Sequence, residues 1–333
     1  MKITIIMALY NVEGYLDQAI ESVLRQSLGQ ENIKVILVDD HSTDNTYRKA
    51  LDHAAKHANI TLYRTEKNSG SCGTPRNLAL EKLDTPYVMF LDPDDYYADD
   101  ACEILLGAMT EYTADLVKGS CELNGKKMQY TGKPTVFTDM EELAAIPIIN
   151  SCAQLYKSSI IREHGIRFTD GIIYEDNEFY YSYLMNVRKL VSIPNIVHYY
   201  NTRDEGPETS STRKSTFRSL DNLCTAYQKV HEVFMKAGSP YFNLIAGRMM
   251  EDLIWKISVT EQLTEDQEKQ IADKIQWLNE LWPREDTKDE LVFDLVRKGQ
   301  INLLNKFFNY VIEEANLRFL LKKKFKKIMR KRR

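Results

Sequence analysis

Residues 32–40 read NIKVILVDD, a nearly continuous apolar run that ends in two acids. Such a run is typical of a strand that is covered on both faces of a parallel sheet. Three further stretches also read as strands, namely residues 2–11 (KITIIMALYN), 59–66 (NITLYRTE) and 86–92 (PYVMFLD), and helix-like segments separate them. Four successive strand–helix units predict an α/β fold with a doubly wound, mostly parallel sheet and flanking helices.

The residues that follow the four predicted strands are polar. In a doubly wound sheet, ligands bind in the crevice outside the carboxyl ends of the strands. We therefore expect the four strand ends to converge on one cleft, which would be lined by residues 8–12, 39–42, 67–76 and 92–95.

The fourth strand ends in FLDPDDYY (residues 90–97), with three acids among four residues. In an extended chain side chains alternate, so Asp92 and Asp94 would point to the same side. Two such carboxylates suit Mg²⁺ or Mn²⁺, which take oxygen ligands. The alternative interpretation is a polar turn, since Asp and Pro are common turn residues.

The segment KNSGSCGTPRN (residues 67–77) combines small residues with the expected start of a helix. Thr74 is the predicted N-cap and Pro75 the first helical residue. Free N–H groups at a helix start favour an anion, and a phosphate would relieve the unfavourable placement of Arg76 near the positive helix end. The alternative is an ordinary capped helix with a surface arginine.

Three further positions carry both a functional and a structural interpretation. Asp40, at the end of VILVDD, could hydrogen-bond a base or ribose, or cap the following turn. Glu175 and Asp176 open a predicted helix and could be ordinary first-turn acids. His198 could approach a metal or phosphates, but a histidine between apolar residues is more often a hydrogen-bonded core group.

Composition and charge exclude some functions. The 333 residues carry a net charge of −4, but ten Lys and Arg residues and no acid lie within residues 318–333, which leaves 34 basic against 48 acidic residues elsewhere. Because residues 1–317 are this acidic, we predict that the protein does not bind nucleic acid.

No apolar run approaches the ~20 residues of a membrane span, and no leader cleavage site is apparent, so we expect a cytoplasmic protein. The five cysteines include no C-x-x-C pair, so neither a disulfide framework nor a zinc site is predicted.

A cradle for a diphosphate opposite a metal site suits a nucleotide-sugar. We therefore predict three parts: a nucleotide-sugar-binding region at residues 1–210, a mainly helical region at 211–316, and a basic tail at 317–333. The helical region is a candidate for oligomer or acceptor contacts. The polar residues 203–213 could form a lid over the donor and acceptor. The tail predicts an amphipathic helix on an anionic membrane surface, hence a peripheral location at the inner face of the cell membrane. Solubilising charge and binding of a polyanionic acceptor are the alternatives for the tail.

The motifs ITIIMALYN, VILVDDHSTDNT, KNSGSCGTPRN, FLDPDDYY and IYEDNEF occur in this order over the first 210 residues. In this order and spacing they resemble those of family 2 glycosyltransferases with a GT-A fold. KNSG…PRN is also similar to the bacterial enzymes that decorate wall teichoic acid. One departure is Ala8, where the family usually has proline.

The resemblance implies a role for each matching position. Asp40 would bind uracil, with help from Tyr10 and the backbone at Ala8, while Asn68 and Arg76 would reach the uracil or the phosphates. Asp92 would contact the ribose and the metal-bound phosphate, Asp94 would ligate Mn²⁺ or Mg²⁺, and Asp176 would be the catalytic base, kept ionised by its helix dipole. The implied activity is inverting transfer of a sugar from a UDP-sugar (UDP-GlcNAc first, otherwise UDP-Glc or UDP-Gal) to a bacterial surface glycan or teichoic-acid-like polyol-phosphate polymer.

Two other classes of protein compete with this hypothesis. A sugar nucleotidyltransferase also surrounds a metal and a nucleotide with such a sheet, but ALYNVEGYL (residues 8–16) lacks its glycine-rich signature. A non-catalytic nucleotide-sugar-binding scaffold of the same fold is the second alternative. The presence of Asp92, Asp94 and Asp176 together argues against it.

Overall fold

The computed structural model describes residues 1–128, 131–146, 151–201, 215–277, 295 and 298–306. The chain divides into two compact units, residues 1–210 and 211–333. The candidate site residues all fall in the first unit.

A ten-stranded sheet forms the centre of the first unit, with strand order β3-β2-β1-β4-β9-β6-β10-β5, while β7 pairs with β6 and β8 with β10. Its strands are β1 (Ile3–Leu9), β2 (Ile33–Asp39), β3 (Ile60–Arg64), β4 (Tyr87–Phe90), β5 (Tyr96–Tyr97), β6 (Leu116–Leu123), β7 (Lys126–Met128), β8 (Thr135–Phe137), β9 (Gln154–Lys157) and β10 (Leu190–Tyr200).

The four predicted strands form the parallel half of the sheet. Strand β1 pairs in parallel with β2 and β4, and β2 pairs in parallel with β3. The other half is mixed, because β9 runs antiparallel to both β4 and β6, whereas β6 and β10 are parallel. The predicted α/β class is confirmed, and the antiparallel strands make the sheet mixed rather than uniformly parallel.

Among the described residues of the first unit, seven helices accompany the sheet: α1 (Leu16–Leu24), α2 (Thr46–Lys56), α3 (Gly73–Leu80), α4 (Ala101–Glu111), α5 (Met140–Ala145), α6 (Ser158–Glu163) and α7 (Glu175–Leu184). All seven residues of β1 are buried, so this strand is covered on both faces. On one face, buried residues of α1 and α4 such as Ile20 and Leu105 join the main hydrophobic core. On the other face, Phe90 of β4 contacts Phe179 of α7 edge to face, with ring centroids 5.4 Å apart.

The second unit contains the helices α8 (Phe217–Lys236), α9 (Phe242–Val259) and α10 (Glu265–Lys274). Each of α8 and α9 buries an apolar face, and Thr264 caps α10 through a reciprocal capping box with Gln267. The prediction of a mainly helical C-terminal region is confirmed within the described residues. None of the helices among these residues is long and apolar enough to cross a membrane.

Candidate active site

The loops that follow β1 and β2 are joined by hydrogen bonds. The Asn11 N–H donates to Ser42 Oγ at 3.1 Å, and Asn11 Oδ1 accepts from the Thr43 N–H at 2.8 Å. Asn11 and His41 both have positive φ angles, of 50° and 62°. Residues held in this sparsely populated region cluster at ligand-binding sites, because the surrounding structure must compensate their strain.

Asp40 organises the loop that follows β3. Its carboxylate accepts hydrogen bonds from Thr65 Oγ1 (2.9 Å), Asn68 Nδ2 (3.1 Å), the Ser69 N–H (2.9 Å) and Ser69 Oγ (2.9 Å). Asp40 is only 3% exposed. The residue that we predicted to contact uracil therefore also fixes the position of Asn68, and its contact with a base stays a prediction.

Ala8 and Tyr10 lie where the sequence predicts them, at the carboxyl end of β1. Ala8 is buried and pairs in register with Val38 of β2. Tyr10, by contrast, is 45% exposed. An exposed ring at this edge is available for stacking against a planar ligand.

Residues 92–95 form a turn, which corrects the predicted geometry of the two metal-ligand candidates. Strand β4 ends at Phe90, and the Asp95 N–H donates to the Asp92 carbonyl at 3.0 Å. Our argument from side-chain alternation was wrong here, because alternation holds only while the strand continues. Pro93 stands at the second turn position, where its fixed φ is favourable. Asp92 and Asp94 are both half-buried at this turn.

Arg76 joins the turn to the start of α7. Its guanidinium donates to Asp92 Oδ1 and to Glu175 Oε1, at 2.6 Å in each case. Arg76 is 4% exposed, so it is a buried cation between two carboxylates rather than a surface arginine. These two acids relieve its unfavourable position in the first turns of α3, and its predicted contact with uracil or phosphates stays a prediction.

Helix α3 begins earlier than predicted. It starts at Gly73, with Cys72 as the N-cap residue, so the predicted capping role of Thr74 was wrong. The Thr74 hydroxyl instead donates to Asp170 at 2.7 Å, and Asn77 exchanges two hydrogen bonds of 2.9 Å with the backbone of Phe168. These contacts fasten the start of α3 to the segment that leads into α7.

The two acids that open α7 follow a strained residue. Tyr174, the N-cap residue, has φ +74° and ψ +21°, a left-handed conformation that is uncommon for a bulky side chain. Glu175 is buried and Asp176 half-buried. Burial raises the pKa of Glu175 to about 7 against the opposing charge of Arg76.

Burial also raises the pKa of Asp176 above its ordinary value of 3.8, and the nearby positive charge of Arg76 partly offsets this effect. The expectation that the helix dipole keeps Asp176 ionised therefore omitted the larger effect, which is desolvation. The charges of both Arg76 and Asp92 act on Asp176, so the turn and the start of α7 belong to one electrostatic cluster.

The donor atoms at the turn fit a hard divalent cation. Asp92 and Asp94 offer carboxylate oxygens, the ligands that Mg²⁺ and Mn²⁺ take. A second group, Asp95, Cys152 and His198, also has its potential ligand atoms within 4.8 Å of one another, and all three residues are buried. Burial raises the pKa of the Cys152 thiol to about 12, so it stays protonated and fits these cations poorly.

The sequence did not identify the partners that hold the candidate residues. Ser69, Asn77 and Tyr174 carried no chemical signal in the sequence, and His198 has Asp95 as its hydrogen-bond partner. The predicted lid at residues 203–213 and the tail at 317–333 lie outside the described residues, so those interpretations stay predictions.

The fold and the site together define a glycosyltransferase of the GT-A class. Residues 4–165 match the family described as Glycosyl transferase family 2. The chain belongs to this family, and the predicted resemblance is confirmed.

Three known proteins illustrate the relationship. The chain is 27% identical over 299 residues to the poly(ribitol-phosphate) beta-N-acetylglucosaminyltransferase TarP of Staphylococcus aureus, which covers 84% of this chain and 86% of TarP. It is 32% identical over 179 residues to an uncharacterized glycosyltransferase of Haemophilus influenzae, covering 52% of this chain and 70% of the relative. The crystal structure of S. aureus TarS 1–349 with UDP-GlcNAc has a TM-score of 0.73 at 19% identity and covers 93% of this chain and 92% of that one, a likeness of fold.

Several other curated relatives are much longer proteins. The chain spans about a third of the length of these longer relatives, with values from 29% to 37%.

Proposed function

We propose that the protein transfers a sugar from a UDP-sugar to a polyol-phosphate polymer of the teichoic acid type, with inversion at the anomeric carbon. The observation that carries this proposal is the double ion pair of Arg76. It connects Asp92, in the motif predicted to bind the divalent cation and the metal-bound phosphate, to Glu175, which precedes the proposed base Asp176. In a sugar transferase, the group that holds the departing diphosphate and the general base must lie on either side of the same sugar, and therefore close together.

The reaction that suits this site is a single displacement. The acceptor hydroxyl oxygen forms a bond to the anomeric carbon while the bond from that carbon to the diphosphate oxygen breaks. Asp176 takes the hydroxyl proton as general base, and UDP leaves with the electron pair. One carboxylate on the face opposite the leaving group gives inversion, by analogy with inverting glycoside hydrolysis.

Asp94 and Asp92 are the residues that would hold the divalent cation, Mn²⁺ or Mg²⁺. A bound cation supplies neutralisation of the departing diphosphate, which lowers the barrier to its departure. At the other end of the donor, Asp40 and the exposed Tyr10 ring would bind uracil, with the Ala8 backbone and Asn68 beside them. The 3.1 Å hydrogen bond from Asn68 to Asp40 supports this proposal, because it already orders two of the residues proposed to bind the base.

The relatives favour particular substrates. TarP is named as a poly(ribitol-phosphate) beta-N-acetylglucosaminyltransferase, and TarS was crystallised with UDP-GlcNAc. We infer UDP-GlcNAc as the first donor to test, followed by UDP-Glc and UDP-Gal, with poly(ribitol phosphate) and poly(glycerol phosphate) as acceptors. We also propose that the protein is cytoplasmic and peripheral at the inner face of the cell membrane, held there by the basic tail at residues 317–333.

A donor screen tests the proposal. Purified full-length protein is incubated with a panel of nucleotide-sugars, with Mn²⁺ or with chelator, and nucleotide release is measured with and without each acceptor polymer. We expect release of UDP from one UDP-sugar, faster with acceptor and lost in Asp94→Ala. Release from no UDP-sugar under any condition would refute the proposed function, and Asp52→Ala, on the exposed face of α2, is the matched control for loss of an acid.

A further inference from the structure

The third acid of FLDPDDYY, Asp95, makes hydrogen bonds with the rest of the protein through both of its carboxylate oxygens. Oδ2 lies 2.9 Å from His198 Nε2, and Oδ1 accepts a 2.9 Å hydrogen bond from the Asn201 N–H. Asp95 is 2% exposed and His198 is fully buried. Asp95 thus differs from its half-buried neighbours Asp92 and Asp94, because its oxygens face the protein interior.

The contacts of Asp95 fix one end of the turn that carries the two candidate metal ligands. Its N–H closes the turn on the Asp92 carbonyl at 3.0 Å, and its carboxylate anchors the same residue to β10. Directly after it, β5 pairs with β10 in antiparallel register, with Tyr97 opposite His198. The turn follows β4 at its other end, so it lies between β4 and β5 and is fixed on both sides.

The carboxylate–histidine contact is specific in its chemistry. When Asp95 is ionised its carboxylate has only acceptor sites, so Nε2 of His198 then carries the hydrogen. Such charge-assisted hydrogen bonds are shorter and stronger than neutral ones, and burial protects them from competition with water. A carboxylate and an imidazole are costly to bury separately, and here each supplies the partner of the other.

We propose that His198 and Asp95 are a positioning pair that holds the 92–95 turn in the conformation in which Asp92 and Asp94 bind the divalent cation. This inference rests on the proposed function, since it assigns the pair to that metal site. His198 acts through Asp95 and the turn and does not itself touch the cation. Residues that orient metal ligands in this way typically change metal affinity by about 10- to 100-fold when they are replaced.

The test measures metal affinity rather than catalysis. UDP binding to the full chain is titrated against Mn²⁺ by calorimetry, and the Mn²⁺ concentration for half-maximal binding is determined beside the melting temperature. His198→Leu removes the donor at similar volume, whereas His198→Gln keeps an amide donor near the position of Nε2. Ile193→Ala, a buried residue of the same strand, is the control for general loss of stability.

We expect His198→Leu to raise the half-saturating Mn²⁺ concentration about 10- to 100-fold, and His198→Gln to stay within about threefold of wild type. Ile193→Ala should lower the melting temperature without changing the Mn²⁺ requirement. The isosteric Asp95→Asn supplies the same comparison should His198→Leu not fold, with an expected rise of about tenfold.

Two results would overturn the inference alone: a wild-type Mn²⁺ requirement in His198→Leu and Asp95→Asn, or an equal rise in Ile193→Ala. A wild-type protein whose UDP binding needs no metal would overturn the proposed metal site and this inference with it. The two failures are therefore distinguishable.

Discussion

Among single residues, Arg76 connects the parts of the candidate active site, because its guanidinium pairs with acids from two different elements. This buried cation pairs directly with Asp92 and Glu175, and its charge also acts on Asp176, so three acids share one cation. The cluster therefore keeps a negative excess, which favours a divalent cation. Buried ion pairs contribute little net stability but are strongly destabilising when one partner is removed, so Arg76 is better understood as ordering the acids than as stabilising the fold.

Replacement of Asp176 by Asn should affect activity and stability in opposite directions. Loss of the base should lower kcat about 10²- to 10⁴-fold. The raised pKa of Asp176 means that its ionised form costs folding free energy above that pKa. The neutral amide removes this cost, and each kcal/mol recovered raises the melting temperature by about 2–4 °C in a chain of this kind.

Thermal melts of wild type and Asp176→Asn at pH 4 and pH 8 measure the second effect. Because the cost grows as the pH rises from the ordinary pKa of 3.8 to the raised pKa, the stability advantage of the variant should be larger at pH 8 than at pH 4. A variant less stable than wild type at pH 8, or one with full activity, would contradict the role given to Asp176.

The activity should fall on the acid side of neutrality. A general base works only when ionised, and burial raises the pKa of Asp176 above its ordinary 3.8, so the loss should begin at higher pH than for an exposed aspartate. The measurement is kcat/KM between pH 4 and pH 9, with UDP affinity as the control. A rate that stays constant down to pH 4 would show that this carboxyl is not the base, because even a carboxyl of ordinary pKa is partly protonated there.

At the element scale, the start of α3 and the approach to α7 form one bonded unit. Asn77 and Thr74 hold the segment 168–170, and Gly73 lies so close that an added Cβ would stand 2.3 Å from the Thr169 carbonyl oxygen. Close backbone approach at this glycine lets the two elements that carry Arg76 and Asp176 meet. The left-handed backbone conformation of Tyr174 sets the direction in which α7 begins, and so also affects how closely α7 approaches α3.

Gly73→Ala should separate these two elements. The clash is with backbone rather than with a flexible side chain, so we expect a loss of about 1–3 kcal/mol in unfolding free energy and weaker UDP binding. Denaturant unfolding and UDP calorimetry measure both effects.

Gly107→Ala is the matched control. It lies in α4, and an added Cβ there meets no atom within 4 Å, so that variant should be stabilised by about 0.5–1 kcal/mol. A Gly73→Ala protein as stable as wild type, with unchanged UDP affinity, would refute the close-approach argument.

The sequence predicts the strands and their polar ends because these are local patterns. It could not predict the pairing of Arg76 with Glu175 or of Asp95 with His198, since 99 and 103 residues separate the partners. The geometry of Asp92 and Asp94 was missed for another reason. Alternation of side chains was assumed beyond Phe90, where the strand in fact ends and Pro93 begins a turn.

At the scale of the whole molecule, charge is distributed unevenly along the chain. Residues 318–333 carry ten basic residues and no acid, and the remainder carries a net charge of −14. An acidic body and an anionic polymer repel each other at long range, so a basic tail is the part of the chain suited to an anionic surface. The acceptor polymer and the inner membrane leaflet are both surfaces of that kind.

Removal of residues 317–333 should abolish binding to anionic vesicles. Each basic residue near such a surface contributes about 1 kcal/mol, and salt weakens the attraction. Sedimentation of both forms with vesicles that contain or lack phosphatidylserine measures this, and UDP binding should be equal in the two forms. Equal sedimentation of the full and shortened chains would refute the membrane interpretation of the tail.

The most direct test of the central claim is the anomeric configuration of the product. The protein is incubated with Mn²⁺, UDP-GlcNAc or the UDP-sugar selected in the donor screen, and poly(ribitol phosphate), and the new linkage is examined by proton NMR. Because the sugar is α-linked in the donor and a single displacement inverts this carbon, the account predicts a β-linked product that Asp176→Asn does not form. An α-linked product, or a β-linked product formed at the wild-type rate by Asp176→Asn, would contradict it.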